Sequence, residues 1–209
     1  MREIVSADDA LRKLLEKACK FNESVDVAVH FFSKDSVKIG CVFKYPFYFG
    51  RVLVFCGEPQ MAQVIDENVT YGGEELIERI KAKKNFVKGY KYSLASPPMM
   101  SKLSKIARIL GPRGLMPDSK YGLVTHDIAA AVTAILGGKA LFKTNKAGVM
   151  HSKIGNLGMG FDKLRENFQI FCESVFATRP KNVSLQSYVR SISVSSTMGD
   201  GCFVDFLAL

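Results

Sequence analysis

Hydrophobic spacing changes period several times along this 209-residue chain. Leu11, Leu14, Leu15 and Ala18 recur at helical spacing behind Ser6, whose hydroxyl suits an N-cap, so a helix is expected over 7–19. From Ser24 to His30 the period drops to two, with Val25, Val27 and Val29 on one side and Ser24, Asp26, Ala28 and His30 on the other. That alternation predicts a strand with one buried face and one open face. Arg51 to Cys56 is an almost unbroken apolar run closed by Gly57, the pattern of a strand covered on both faces in a parallel sheet.

Farther along, helical patterns over 60–67, 74–83, 99–110 and 126–136 alternate with a strand over 90–95, as in a wound α/β unit. The last third differs. Ala140 to Phe142 and Val149 to Ile154 are expected to form a strand pair, 162–177 an amphipathic helix, and 188–197 with 202–206 a hairpin around Gly199-Asp200-Gly201. The expected fold class is α/β in two domains. Residues 1–49 and 139–209 make one discontinuous α+β domain, and 50–138 are inserted into it.

Composition narrows the partner. With 47% hydrophobic and 23% charged residues the chain buries a real core, which excludes a disordered basic tail. A formal net charge of +9 favours a polyanion, because fixed cations gain free energy by displacing condensed counterions. Fifteen cations and two acids lie between Arg79 and Phe161, so that segment carries +13 against −4 elsewhere. No apolar stretch is long enough to span a bilayer, and the acids of the first ten residues argue against a targeting segment. Five scattered cysteines without a Cys-x-x-Cys pair predict neither a disulfide framework nor a zinc site, and fit a reducing compartment. Asn68-Val69-Thr70 and Asn182-Val183-Ser184 are accordingly read as chance triplets.

No catalytic constellation is legible. There is no phosphate-binding glycine loop or nucleophile elbow, Gly155 to Gly160 has the wrong glycine spacing, and His30, His126 and His151 lack metal-site spacing. Three features point instead to nucleic acid. Lys102, Lys105 and Arg108 line one helix face and run into the rigid loop Gly111-Pro112-Arg113-Gly114-Leu115-Met116-Pro117, which suits either a phosphate contact or a purely structural turn. Ser191, Ser193, Ser195 and Thr197 form a row of small hydroxyls on one side of a strand, flat enough for an RNA backbone to approach. Ser24 and Asp26 share the polar side of the first strand, where Asp26 would accept from a 2′-OH or a base amino group. A nucleotide-dependent enzyme built on the middle domain is the rival reading.

The run Ile109-Leu110-Gly111-Pro112-Arg113-Gly114-Leu115-Met116-Pro117, with Ser101-Lys102-Leu103 before it and Ser196-Thr197-Met198-Gly199 near the end, resembles the universal large-subunit ribosomal protein one family in its bacterial and organellar form. Phe21 to Val27 and Tyr71-Gly72-Gly73-Glu74-Glu75 also match it. The resemblance implies a terminal split β-α-β RNA-binding domain and an inserted Rossmann-like α/β/α domain, hinged near Phe49-Gly50 and Gly138-Lys139. It implies a structural, cofactor-free and non-enzymatic protein, monomeric when free and not membrane-bound. Its partners would be the mobile stalk of large-subunit rRNA beside the tRNA exit site, transiently tRNA, and its own mRNA as a translational repressor. The implied RNA surface is Lys20, Phe21, Ser24, Asp26, Asn145, Lys146, Ser191, Thr197, Met198 and Gly199, with Lys143 and Lys146 positioning phosphates. Asn145 stands where the family usually has Asp. Fifteen Phe and no Trp point to an organellar or reduced-genome ribosome, in a mitochondrial matrix or a bacterial cytoplasm. On this reading Thr197→Val leaves the fold intact and weakens RNA binding by roughly 1–3 kcal/mol, through an unpaired partner, in a titration against a stalk fragment.

Overall fold

The structure is a computed structural model and describes residues 4–16, 20–33, 35–47, 50–57 and 66–206. Its strands and helices run, in chain order, β1 Ile4–Val5, α1 Ala7–Glu16, β2 Ser24–Phe31, β3 Lys38–Val42, β4 Arg51–Phe55, β5 Val69–Gly72, α2 Glu74–Ala82, β6 Tyr90–Ala95 and α3 Pro97–Leu103. They continue with α4 Ala107–Leu110, α5 Ile128–Leu136, β7 Lys139–Lys143, β8 Val149–Asn156, α6 Phe161–Ala177, α7 Leu185–Tyr188, β9 Val189–Ser196 and β10 Cys202–Val204. The chain divides into two compact units, Met1–Phe47 with Gly138–Leu209, and Tyr48–Gly137.

In the first unit a five-stranded sheet runs in the order β1-β10-β9-β2-β8, antiparallel except where β1 joins β10. The expected alternation in β2 is present: Val25, Val27, Val29 and Phe31 are buried, whereas Asp26 and His30 are exposed. The buried side meets Ile192 and Val194 of β9 and the apolar stripes of α1 and α6, including Leu11, Leu14, Leu164, Phe168 and Phe171. Ser6 caps α1, its Oγ accepting from Asp9 N at 3.1 Å and donating to Asp9 Oδ2 at 2.7 Å. Asn167, 0% exposed, locks α6 down: Nδ2 donates to Tyr45 O and Ile154 O at 2.9 and 3.0 Å, and Oδ1 accepts from Tyr45 N at 3.2 Å. Gly155 allows this approach, since a Cβ there would lie 2.6 Å from Leu164 Cδ2.

The expected pairing of β7 with β8 does not form as a ladder. β8 pairs with β2 and β7 with β3, and an isolated bridge joins Thr144, just after β7, to Met150 of β8. Thr144 decides this: buried, it donates to Asp35 O at 3.0 Å and accepts from Val37 N at 2.9 Å, which fixes β7 against β3. The period-two run Ile39, Cys41 and Phe43, buried in the structure, is the signal that marks β3.

The second unit holds a parallel sheet in the order β5-β4-β6. Arg51–Phe55 is covered on both faces, as its apolar run predicts. Leu53, Phe55 and Ala95 pack against α2 and α3, and α5 packs on β6. The helix expected over 99–110 is two helices separated by a 3₁₀ turn at Ser104–Ile106. Ser101 and Ser104 hydroxyls donate to the carbonyls of Pro98 and Ser101 at 3.1 and 2.6 Å, competing with the helical ladder. The face division survives, with Leu103, Ile106 and Leu110 buried and Lys102, Lys105 and Arg108 exposed. In the proline-glycine loop, Gly114 has φ +68° and Leu115 is buried, its carbonyl accepting from the Ser93 hydroxyl. That loop is a structural anchor, with Arg113 left exposed. Residues 60–65 of the helix expected over 60–67, and Cys19, lie outside the described residues, and Glu67 is in a turn.

Cys41, Cys56, Cys172 and Cys202 are unpaired. Burial pushes the Cys41 and Cys172 thiols up to about 12, which keeps them protonated and unreactive at neutral pH. Iodoacetamide at pH 8 is expected to label half-buried Cys202 in the native protein, and Cys41 and Cys172 only after denaturation. Peptide mass spectrometry reads the order, and early labelling of Cys172 would contradict the packing.

Candidate nucleic-acid interface

Because α1 and α6 cover one side of the five-stranded sheet, the residues of opposite parity form its other face. Register places Ser195, Ser193 and Ser191 of β9 across from Asp26, Ala28 and His30 of β2. On the other flank, Lys153 and His151 of β8 lie across from Asp26 and Ala28. Phe203 of β10 lies across from Ser193. The three serines are half-buried, so their hydroxyls are low-lying yet accessible. Thr197, expected as a fourth member, lies just beyond the strand, in the turn between β9 and β10.

The remaining expected residues gather at the two ends of this face. Since β2 runs antiparallel to β8 and β9, its start lies beside their ends. Lys20 and Phe21, before β2, therefore fall near Thr197, Met198 and Gly199, after β9. Phe21 and Met198 are 54% and 71% exposed, unusual for large apolar side chains. Gly199 lets the turn approach closely, since a Cβ would stand 2.4 Å from Ser196 Oγ and force that hydroxyl to turn away. At the opposite end, beside His30 and Ser191, the exposed Lys143, Asn145 and Lys146 occupy the approach to β8. The eight residues of β2 separate the two groups by about 26 Å.

Three consecutive residues hold the first end together. Asn22 Oδ1 accepts from Gly158 N at 3.0 Å, and Glu23 O accepts from Leu157 N at 2.9 Å. Glu23 Oε2 accepts from Met198 N at 2.9 Å, and Ser24 N donates to Thr197 Oγ1 at 3.1 Å. Glu23 is 0% exposed, and no sequence signal distinguished it from an ordinary solvated acid. The Thr197 hydroxyl is also bonded to Ser24 O, at 3.4 Å. That corrects the expectation that replacing it would act on RNA alone, because its first partner is the backbone of β2.

Asn145 likewise does structural work. Its Oδ1 accepts from Ala147 N and Val149 N, both at 2.9 Å, so a carboxylate at this position would make the same two bonds. Only its Nδ2 hydrogens are left to offer a ligand. Burial raises the pKa of Asp26, while Lys153 and His151 pull it down. Its ionised form thus costs folding free energy that is relieved as pH falls through that raised value, and protonation there removes repulsion toward phosphate. Lys153 and His151 were not singled out from the sequence as site residues, although the burial alternation of β8 places both on this face. Among the described residues no three His, Cys, Asp or Glu side chains could hold a metal, and no helix is long and apolar enough to cross a membrane.

Comparison with known proteins agrees with the motif resemblance. The model of the ribosomal protein L1p/L10e family matches residues 11–200. The large ribosomal subunit protein uL1 of Anaplasma marginale is 39% identical over 202 residues, covering 93% of this chain and 92% of its own. That of Ehrlichia canis is 38% identical, with 98% and 96% covered, and that of Maridesulfovibrio salexigens 35%, with 98% and 89%.

Glu23→Ala is expected to cost about 1.5–3 kcal/mol of stability by stranding the Met198 amide, and Thr197→Val about 1 kcal/mol. Urea titration of both variants tests this ranking, and equal losses would show that the buried carboxylate is not the dominant tie.

Proposed function

Since the chain belongs to the ribosomal protein L1p/L10e family, as a structural, non-enzymatic protein of the large ribosomal subunit of bacterial type, we propose that the outer face of its terminal unit binds the mobile stalk of large-subunit rRNA. The observation that carries this is the uncovered sheet face, with its serine row and its two flanking groups of exposed residues. Lys20 at one end and Lys143 and Lys146 at the other position phosphates. Between them Ser191, Ser193 and Ser195 admit the backbone closely and exchange hydrogen bonds with 2′-OH groups. Phe21 and Met198 supply apolar contact, and Asp26 accepts from a 2′-OH or an amino group beside Lys153.

In this reading the discontinuous terminal unit is the RNA-binding domain and Tyr48–Gly137 an inserted Rossmann-like domain, which the contact division and the parallel sheet support. A stalk protein beside the tRNA exit site would touch departing deacylated tRNA transiently. A stalk-like element in its own mRNA would compete for the same face, giving translational repression by the free monomer. The reading covers a bacterial cytoplasm and a mitochondrial matrix alike, both compatible with unpaired cysteines.

Shape and charge make opposite predictions for Ser193→Arg. If charge alone binds RNA, the added cation strengthens binding. If a flat hydroxyl face fits the fold, the bulky side chain weakens binding to a stalk rRNA fragment by roughly tenfold or more, about 1.4 kcal/mol. Fluorescence titration at fixed salt decides, and tighter binding would sink the proposed face.

A further inference from the structure

Between Glu78 and Asp118 the chain carries no acid, and 79–91 hold Arg79, Lys81, Lys83, Lys84, Lys88 and Lys91. The end of α2 and the 3₁₀ turn Lys84–Val87 border an open cavity of about 620 Å³, lined by Lys81, Ala82, Lys83, Asn85 and Phe86. Lys81 and Lys83 are exposed, and among the described residues neither ammonium has an ion-pair partner, whereas Lys102 in the same unit is neutralised by Glu74. The Asn85 amide side chain also has no hydrogen-bond partner among the described residues.

Phe86 is half-buried and fixed from behind. It packs on the core of this unit, and Tyr90 lies against it with ring centroids 5.8 Å apart and planes 31° apart. The Tyr90 hydroxyl is itself held 2.9 Å from Thr70 Oγ1. One half-buried aromatic ring, two exposed lysines without ion-pair partners and the exposed Asn85 thus line one open concavity, and no acid lines it. Stacking, phosphate neutralisation and base-edge hydrogen bonding are the three elements of recognition of an unstacked nucleotide.

We propose that this cavity is a second RNA-contact site, separate from the terminal face, that takes an unpaired nucleotide with its base on Phe86 and its flanking phosphates on Lys81 and Lys83. An anionic membrane is the less suitable partner. Interfacial binding needs protruding apolar side chains, and no large hydrophobic residue of 79–91 is highly exposed.

The test uses the full chain, a 4-thiouridine-containing hexauridylate for photocrosslinking and titration, and vesicles with and without anionic lipid. Crosslinks are expected within 79–91 and should persist in Ser193→Arg, which separates this site from the stalk-binding face. Lys81→Gln/Lys83→Gln is expected to weaken oligonucleotide binding about tenfold and to lower the log–log salt slope by about 1.4, two phosphates at 0.7 each. Phe86→Leu, which keeps apolar packing, should weaken binding about fivefold or more with the far-UV spectrum unchanged. Absence of crosslinks in this segment, or unchanged affinity and slope in the double variant, would overturn the proposal. So would binding to anionic vesicles that the double variant loses while its RNA binding stays intact.

Discussion

The terminal unit depends on a seam three residues long. Asn22, Glu23 and Ser24 bind the backbone of the turn after β8 on one side and of the turn after β9 on the other. Residues 22–24 and 197 are about 173 positions apart in sequence, so closing this seam is a tertiary event that gathers three loops at one end of the sheet. Of the three, only Glu23 is buried, and its carboxylate accepts from Met198 N there. Strand pairing alone brings Phe21 and Met198 to one end of the sheet, and the seam then ties the segments that carry them to each other.

The other half of the constraint is one-sidedness. Helices α1 and α6 cover a single face, and Asn167 ties α6 to Tyr45 and β8 by three hydrogen bonds. An antiparallel sheet tolerates water on its second face, which a parallel one seldom does. The two units therefore differ in what they expose. The parallel strands of Tyr48–Gly137 are buried over most of their length, so most of the charge in that unit lies on helix faces and turns. The terminal unit offers a broad face lined by serines.

Net charge alone would have directed attention to the densest basic stretch. The face best supported by motif and geometry contains few cations, and they sit mainly at its ends. Counterion release acts at a distance and tolerates disorder, whereas fitting a folded RNA requires a surface low enough to approach. Cations at the ends and hydroxyls between them satisfy both requirements.

What the sequence by itself determined was local: the period of β2 and β9, the apolar run of β4, the stripes of α1 and α6, the absence of a catalytic motif, and a motif set specific enough to name a family. The first three follow from spacing within one element, where side-chain direction is set by backbone period. Tertiary structure alone decided what depends on distant partners. β7 joined β3 instead of β8 because Thr144 bonds to Asp35 and Val37. The 99–110 helix broke where serine hydroxyls met nearby carbonyls. Glu23 became a buried tie, and the Thr197 hydroxyl turned inward to Ser24. A polar residue's role is fixed by which unpaired group folding brings within about 3 Å, and no pattern along the chain contains that distance.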